Sequence, residues 1–380
     1  MVPVATVISL PAGEDELSRL VQKHFDDLVS MESAAEIKIL RRGHKALATS
    51  LEGYSDADVF ARVQLLRQNS EQDASLPPKI AEFEVFASGR ELIGENRPAS
   101  LLFAETLSRD RWDPTRARQC AGIKSLVTVH RLREVSCLYG FTRFESAPTV
   151  GDSDLEDVRL AVDGAPLSLG ADWLPAVEQF GEGLFIHFDP DAVATWLDRA
   201  VVVDRTKGLF AGHTGWAAAR GDRAVPFAGA VYVMLHSLSH ALMGEIALEC
   251  GYPASALKER IYALPNPLAM NRIDQCGILI YTATAGNQGT LGGLVATADR
   301  FSAILRSALE RLEVCSNDPV CGDHVPTSST DDRALHGAAC HGCLLVAETS
   351  CESRNWFLDR ALLVDTVAGD GSAFFGRSPG

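Results

Sequence analysis

The chain has 380 residues, of which 46% are hydrophobic and 22% are charged, and its formal net charge is −15 at pH 7. This composition excludes an intrinsically disordered chain, and the length is sufficient for two or three globular domains. The acidic balance repels a phosphate backbone, so nucleic-acid binding would need a local basic patch, whereas protein partners are compatible with it.

The sequence predicts no secretory signal and no membrane span. Residues 1–10 are apolar, but the segment is short and lacks a basic beginning. The longest apolar run, 226–250, is interrupted by His236, His240 and Glu245, so we expect it to stay outside the membrane. We therefore predict a cytoplasmic protein, in which reduced cysteines favour metal binding over disulfides.

The first part of the chain, residues 1–118, is predicted to be a mostly helical region. Apolar residues recur with a helical period over 14–30, and two more helices are predicted over 56–67 and 79–87. The segment 68–78 is polar and ends in two prolines, which is typical of a loop.

Residues 119–215 are predicted to form a mixed α/β region. Strands are predicted at 123–129, 158–162 and 184–188, and a helix is predicted over 191–197. The predicted fold class is therefore α/β, with a helical N-terminal region, a mixed middle and a C-terminal zinc-binding α/β domain.

The third region, residues 216–365, begins with a predicted helix from Pro226 to Cys250 that ends at Gly251. A second helix is predicted to start near Ser255. A strand over 277–284, a glycine-rich loop over 285–293 and a long amphipathic helix over 294–312 are predicted to follow. The remaining residues, 366–380, are rich in glycine and serine and are predicted to be a flexible tail.

The strongest local pattern is a series of five cysteines in the last third of the chain. It reads C-x5-C, then eighteen residues, then C-x2-C-x7-C, and its members are Cys315, Cys321, Cys340, Cys343 and Cys351. Two thiolates separated by two residues can bind one tetrahedral metal, and Gly342 lets the turn between them close. Two more thiolates complete a structural zinc site, which has no open position for chemistry. The alternative is a set of five buried thiols.

The same stretch resembles a known family. The runs GAACHGCLL at 337–345, ETSCE at 348–352 and NWFLDR at 355–360 are similar to the zinc-binding domain shared by MrfA-type helicases and by DrmB proteins, the helicase partners of DISARM anti-phage systems. Further similar segments lie at 131–135, 140–143, 236–242, 255–262, 277–282 and 289–294. The resemblance covers roughly residues 120–365.

This resemblance implies that zinc is the cofactor, and it indicates which four of the five thiols bind the metal. Cys340 and Cys343 belong to the knuckle, and Cys351 follows on the family motif. The run 318–321 matches the family and favours Cys321 as the fourth ligand. Cys315 is then a core thiol at a helix end, and it is the alternative ligand.

His236 and His240 lie four residues apart, hence on one face of the predicted helix. No glutamate follows His236, so the H-E-x-x-H metalloprotease motif is absent. We interpret the two histidines as a hydrogen-bonded polar pair between helices. A second metal site or a contact with a partner is the alternative.

Two other features are candidate contacts. Gly292 and Gly293 close a glycine-rich loop before a helix, where packing is the favoured interpretation and contact with a phosphate or a helicase the alternative. Arg131, Arg133 and Arg143 form the densest basic stretch of the middle region, and they could meet phosphates or an acidic partner. A solvated or ion-paired face is the commoner outcome for such arginines.

The sequence contains no phosphate-binding loop, nucleophile elbow or dinucleotide fingerprint. These absences favour a role other than catalysis. The resemblance implies an accessory subunit of a bacterial defence complex that binds a helicase-type protein and meets DNA through the complex. The alternatives are a module that binds DNA directly and a nuclease with an unrecognised site.

Overall fold

The computed structural model describes residues 4–10, 16–72, 77–97, 100–138, 173–218, 221, 224–266, 269–282, 284–285, 292–326, 333–366 and 371–376. The predicted strand at 158–162 and the candidate contact Arg143 lie outside the described residues.

One antiparallel sheet runs through the described part of the chain. Its central path is β2-β3-β4-β5-β7-β6, with β1 paired to β4 and β8 paired to β5. The strands are β1 Val4–Ile8, β2 Leu92–Gly94, β3 Leu102–Leu107, β4 Ile123–Leu138, β5 Ala176–Phe188, β6 Leu257–Asn266, β7 Ala269–Thr282 and β8 Thr284–Ala285.

Helices cover both faces of this sheet. The α-helices are α1 Glu16–Lys23, α2 Phe25–Leu28, α3 Ala34–Gly43, α4 Lys45–Ser50, α5 Asp56–Gln72, α6 Pro78–Phe86, α7 Arg109–Trp112, α8 Pro190–Leu197, α9 Ala200–Ala218, α10 Gly229–Cys250, α11 Gly293–Ala296 and α12 Phe301–Glu313. Short 3-10 helices lie at Arg118–Cys120, Ala254–Ala256, Thr297–Arg300 and Arg360–Leu362. The predicted α/β class with a C-terminal cysteine-rich domain is confirmed.

Alternation along the strands builds two cores. On β5, Leu184, Ile186 and Phe188 face the larger core around α10 and α12, whereas Phe185 faces a smaller core that contains Phe83 and Phe86 of α6. This is the period of two that a strand imposes on its side chains. A third, separate cluster belongs to the N-terminal helices and consists of Leu17, Val21, Leu28, Ile37, Leu47, Leu51, Val59 and Val63.

The N-terminal region is less helical than its pattern predicts. Helices α1 to α6 are present, but β1, β2 and β3 join the sheet, and both β1 and β3 pair with β4 of the middle region. These strands have five, three and six residues, too few for a clear alternation beside longer helical patterns. The sheet therefore crosses the predicted boundaries at residues 118 and 215.

The helix predicted to start near Ser255 is wrong, because only the 3-10 turn Ala254–Ala256 forms there and strand β6 follows from Leu257. Ile261 of β6 lies opposite Ile278 of β7, and Leu257 lies opposite Thr282. Leu257 and Ile261 face the larger core, whereas Tyr262 faces the smaller one. Both faces of β6 are thus buried, which removes the polar alternation that identifies a strand in sequence.

The long helix predicted over 294–312 is three pieces. α11 passes into the 3-10 turn Thr297–Arg300, where the Thr297 hydroxyl donates to the Leu294 carbonyl at 2.6 Å. Arg300 then takes φ −111° and ψ 10°, outside the helical region, and α12 starts at Phe301.

Helix α10 is the central helix of the larger core. It ends at Gly251 in the left-handed conformation (φ 70°), as its sequence predicts. By length and composition α10 could also span a membrane, contrary to our expectation. However, 78% of its most apolar 18-residue stretch is buried inside the protein. A helix that is apolar on all sides is typical of a buried core position.

The predicted flexible tail also needs correction, because residues 371–376 pack against the larger core. The indole Nε1 of Trp196 donates to the Ser372 carbonyl at 2.8 Å, and Phe374 makes edge contacts with Phe188 and Trp196. Ser372 and Ala373 are buried. The glycine and serine content of this segment indicated a flexible tail, although Phe374 and Phe375 pack against the larger core.

Candidate metal centre

Four cysteines from two loops meet beyond the end of α12. Cys315 and Cys321 lie on the loop that follows the helix, and Cys340 and Cys343 lie on the C-x2-C turn. The Sγ–Sγ distances are 3.4 Å for Cys315–Cys340 and 3.8 Å for both Cys321–Cys343 and Cys340–Cys343. Tetrahedral zinc with Zn–S bonds of about 2.3 Å requires sulfur–sulfur separations of about 3.8 Å. The four thiols therefore fit zinc.

Amide groups around the sulfurs support the same interpretation. The backbone amides of Cys340 and Gly342 donate to Cys343 Sγ and Cys340 Sγ, each at 3.3 Å. The side-chain amide of Asn317 donates to Cys340 Sγ at 3.2 Å. Such donors stabilise thiolates and orient metal ligands.

Asp318 holds the C-x5-C loop in shape. Its carboxylate accepts from the backbone amides of Cys315 at 2.8 Å and Gly322 at 2.9 Å. The same carboxylate pairs with the buried guanidinium of Arg360, which also donates to the Leu312 carbonyl at 2.6 Å. Arg360 thereby ties the end of α12 and the loop to the C-terminal segment.

The electrostatics of the cluster favour a thiolate at Cys321. A hydrogen bond from Cys343 lowers the pKa of Cys321 to about 5, against the opposing effect of burial, and Arg360 acts in the same direction as Cys343. The same thiol–thiolate hydrogen bond, together with burial, raises the pKa of Cys343. A metal ion would replace the shared proton and hold both sulfurs as thiolates.

Gly342 is required for space rather than for an unusual backbone conformation. A Cβ atom at this position would lie 2.7 Å from Ser316 Oγ and 3.4 Å from Cys315 Sγ. The two loops can approach each other this closely only because position 342 has no side chain.

The choice among the five thiols needs correction. Cys315 lies in the cluster with Cys321, Cys340 and Cys343, and Cys351 lies in a different group. The preference for Cys351 rested on its place after the knuckle in the family motif. In the fold, Cys351 contacts His236 instead, and Cys315, two residues after the end of α12, contacts Cys340.

The second group consists of His236, His240, Glu259 and Cys351, all buried, with one ligand atom of each within 4.8 Å of the others. His236 Nε2 is 3.1 Å from Cys351 Sγ and 3.0 Å from Glu259 Oε1. His240 Nε2 is 3.2 Å from the same carboxylate oxygen. The predicted pairing of the two histidines on one helix face is present, with ring centroids 4.4 Å apart.

Charges in this group perturb one another strongly. Burial would lower the pKa of His236, but Glu259 and Cys351 hold it well above its usual value. Burial would raise the pKa of Glu259, yet the two histidines hold it well below its usual value. The protonation state of each of these residues therefore depends on that of the others.

Sequence reasoning missed Glu259. Glu259 could have been found from its position in the strand. It lies between Leu257 and Ile261 on the same face of β6, and both of these residues face the larger core. A buried carboxylate on the apolar face of a strand requires partners. The helical interpretation of residues near Ser255 removed that signal.

The end of the glycine-rich loop, Gly292 and Gly293, is held from inside the protein, whereas residues 286–291 lie outside the described residues. Gly292 has φ 75° and precedes α11, and the first turn of that helix binds the buried carboxylate of Glu182 through the Leu294 amide at 3.0 Å. Tyr252 donates to the same carboxylate at 3.2 Å, and a Cβ on Gly293 would lie 2.8 Å from its hydroxyl. These contacts favour packing over phosphate binding.

The basic stretch on β4 is engaged with its neighbours. Arg133 pairs with Glu178 and donates to Ser9 Oγ at 3.0 Å, while Arg131 donates to the Arg97 carbonyl. Both arginines are half-buried and alternate with the buried Leu132 and Glu134, so they share one face of β4. Their role as a contact for a partner or for nucleic acid stays a prediction.

Comparison with known proteins places these sites in context. Residues 238–344 match the family described as MZB, the MrfA Zn-binding domain. The chain is also similar to the DISARM protein DrmB of Bacillus paralicheniformis (strain ATCC 9945a / NCIMB 11709 / CD-2), with 37% identity over 253 residues. That similarity covers 66% of this chain and 42% of DrmB, so the chain matches less than half of its relative.

The matched domain contains all four residues of the cysteine cluster. The domain match and the four-thiol geometry together identify zinc as the cofactor, as predicted. The resemblance to DrmB and to the MrfA zinc-binding domain is confirmed.

Proposed function

We propose, from the premise that this chain carries a MrfA zinc-binding domain and is similar to a DISARM protein, that it is a zinc-containing accessory subunit of a bacterial anti-phage defence complex. Its partner in this proposal is a DNA helicase or translocase. The observation that carries the proposal is the 37% identity to DrmB over two thirds of the chain.

The zinc in this proposal is structural. Four thiolates satisfy tetrahedral zinc and leave no position for water or substrate. The metal joins the loop after α12 to the C-terminal segment, and Arg360 and Asp318 support the same junction. The proposed role of the chain is therefore to present a rigid surface rather than to catalyse a reaction.

An exposed apolar face on α9 supports a protein partner. Val203 and Phe210 are 40% and 52% exposed, and they line a groove of about 330 Å³. The other residues that line the groove are Leu197, Thr206, Lys207 and Phe227. Contiguous exposed apolar surface is typical of interaction sites. We propose that this groove receives an apolar helix or loop of the helicase-type subunit.

The charge of the chain supports contact with DNA through the complex. A net charge of −15 disfavours independent binding to a phosphate backbone. Arg133, a candidate for such binding, already pairs with Glu178. A cytoplasmic location is part of the proposal, because free thiols and thiolate ligands persist in a reducing compartment.

Co-expression of the chain with the helicase genes of its own genomic neighbourhood tests this proposal. We expect a stable complex on size-exclusion chromatography. A Phe210→Glu substitution places a charge in the groove and should weaken the complex at least tenfold. The matched control is Leu248→Glu, an exposed apolar residue on α10 outside the groove, which should leave binding unchanged.

A salt titration of DNA binding by the purified chain separates the alternative. Direct DNA binding predicts tight association at physiological salt and a steep fall of log affinity with log salt concentration. If the chain binds DNA in this way and forms no complex with any neighbouring helicase, the accessory-subunit proposal fails. Metal-dependent DNA cleavage that co-purifies with the chain would instead favour a nuclease.

A further inference from the structure

The group formed by His236, His240, Glu259 and Cys351 has the donor set of a metal site. Two imidazole nitrogens, a carboxylate oxygen and a sulfur converge from α10, β6 and the C-terminal segment. All four side chains are at least nine-tenths buried. The second carboxylate oxygen of Glu259 is buried and has no hydrogen-bond partner among the described residues.

Backbone carbonyls fix the orientation of both imidazoles. His236 Nδ1 is 3.3 Å from the Phe357 carbonyl, and His240 Nδ1 is 2.8 Å from the Leu344 carbonyl. A carbonyl oxygen only accepts hydrogen bonds, so each Nδ1 carries the proton and donates it. In the neutral tautomer, each Nε2 therefore presents a lone pair to the Glu259 carboxylate.

The Nε2 lone pairs are repelled by the Glu259 carboxylate and the Cys351 thiolate unless positive charge lies between these groups. Two neutral imidazoles, one carboxylate and one thiolate carry a net charge of −2, which one divalent cation balances. Zn²⁺ accepts all three donor types, and histidines that bind it commonly donate their other ring nitrogen to a carbonyl. The metal-free alternative with the same balance places two extra protons on the group, on the imidazoles or on the thiol.

We propose that these four residues form a second, structural zinc site, distinct from the four-cysteine site. His236 and His240 bind through Nε2, Glu259 through its carboxylate and Cys351 as a thiolate. The site fastens the C-terminal segment to the central helix and to β6. Two of its members, His236 and Cys351, lie outside the matched zinc-binding domain, which ends at residue 344.

The test uses the full chain, purified with a reductant and without chelator from cells supplied with zinc. We expect two zinc atoms per chain by elemental analysis. X-ray absorption at the zinc edge should give, summed over the two sites, five sulfur and three nitrogen or oxygen ligands, an average of about 2.5 sulfur and about 1.5 nitrogen or oxygen ligands per zinc.

Variants assign each zinc atom. Glu259→Gln and Cys351→Ser should each lose about one zinc per chain and shift the remaining first shell to sulfur alone. Cys340→Ser should instead leave a shell with nitrogen and oxygen. The control Cys137→Ser changes a half-buried thiol on β4 outside both groups and should keep both atoms.

One zinc per chain with an all-sulfur shell in the unmodified protein would overturn the proposal and favour the proton-held cluster. A Cys351→Ser protein that keeps the full zinc content would overturn it as well. The zinc count and first shell of the unmodified chain decide the question even if the variants fail to fold. None of these outcomes depends on the helicase partner.

Discussion

Several buried charged residues in the described part of the chain are paired across long sequence separations. Arg205 of α9 contacts both carboxylate oxygens of Asp359, at 2.6 and 2.9 Å, and both side chains are buried. Asp359 also accepts from the Ala338 amide at 2.9 Å. The pair therefore links α9 to the segment that carries the zinc knuckle.

Removal of one partner should be costly because it leaves a buried charge uncompensated. We expect Arg205→Met to lower the free energy of unfolding by about 3–5 kcal/mol. Lys207→Met, two residues away in an exposed ion pair with Asp204, should change it by less than about 0.5 kcal/mol. Urea denaturation of both variants measures the difference, and equal effects would contradict the structural role of the buried pair.

His187 should make stability depend on pH. Burial, with Lys124 in the same direction, lowers its pKa to about 4, whereas this pKa is about 6.5 in the unfolded chain. The unfolded state thus binds more protons between these values, and stability falls as pH drops below the unfolded pKa. From pH 7 to pH 5 the loss should be about 2 kcal/mol.

The measurement is the unfolding free energy of the chain and of His187→Gln at both pH values. The glutamine variant lacks this titration, so its loss should be smaller by about 2 kcal/mol. A difference between the two proteins that does not change with pH would show that His187 keeps its ordinary pKa in the folded state.

At the scale of elements, the zinc knuckle depends on the close approach of two loops. Gly342→Ala should weaken zinc binding, because the new methyl group meets Ser316 Oγ at 2.7 Å. Ser316→Ala removes that oxygen, so the double variant should recover part of the affinity. Competition with a chelator measures both effects. If the double variant binds zinc no better than Gly342→Ala alone, the steric explanation is wrong.

The elements that the sequence predicted are those with unambiguous ends or faces. The apolar run of α10 and the glycine that ends it gave the helix, and the run 184–188 gave the end of β5. Strand β6 was missed because both of its faces are buried. The break before α12 was missed because it depends on the backbone of Arg300, where a continuous helical pattern of side chains gives no signal.

The same reasoning explains the candidate sites. The C-x2-C spacing identified the knuckle because its two ligands are neighbours in sequence. The remaining partners are brought together only by the fold. The choice between Cys315 and Cys351 depends on how α12 and the C-terminal segment pack, and Glu259 comes from a strand that was predicted to be a helix.

At the scale of the whole molecule, the N-terminal helical cluster and the larger core are separate hydrophobic units. Both zinc-type groups lie beside the larger core. Removal of metal by a strong chelator should therefore release backbone amides over 315–326 and 333–363 to hydrogen exchange, since metal binding energy is folding energy.

Helices α1, α3 and α5 should keep their protection in the same experiment. Hydrogen exchange followed by mass spectrometry provides the measurement, with metal restored as the control. Loss of protection in α1, α3 and α5 to the same extent would show that the chain unfolds as one cooperative unit. The N-terminal helical cluster and the larger core would then be energetically coupled.

The anchored segment 371–376 has a practical consequence for recombinant work on this protein. Phe374 covers Gly122 and Trp196, and Arg118 and Arg199 donate to carbonyl groups of the same segment. A fragment trimmed at residue 365 would uncover the aromatic surface of Trp196 and Phe188. We expect expression of such a fragment to yield less soluble protein than expression of the full chain.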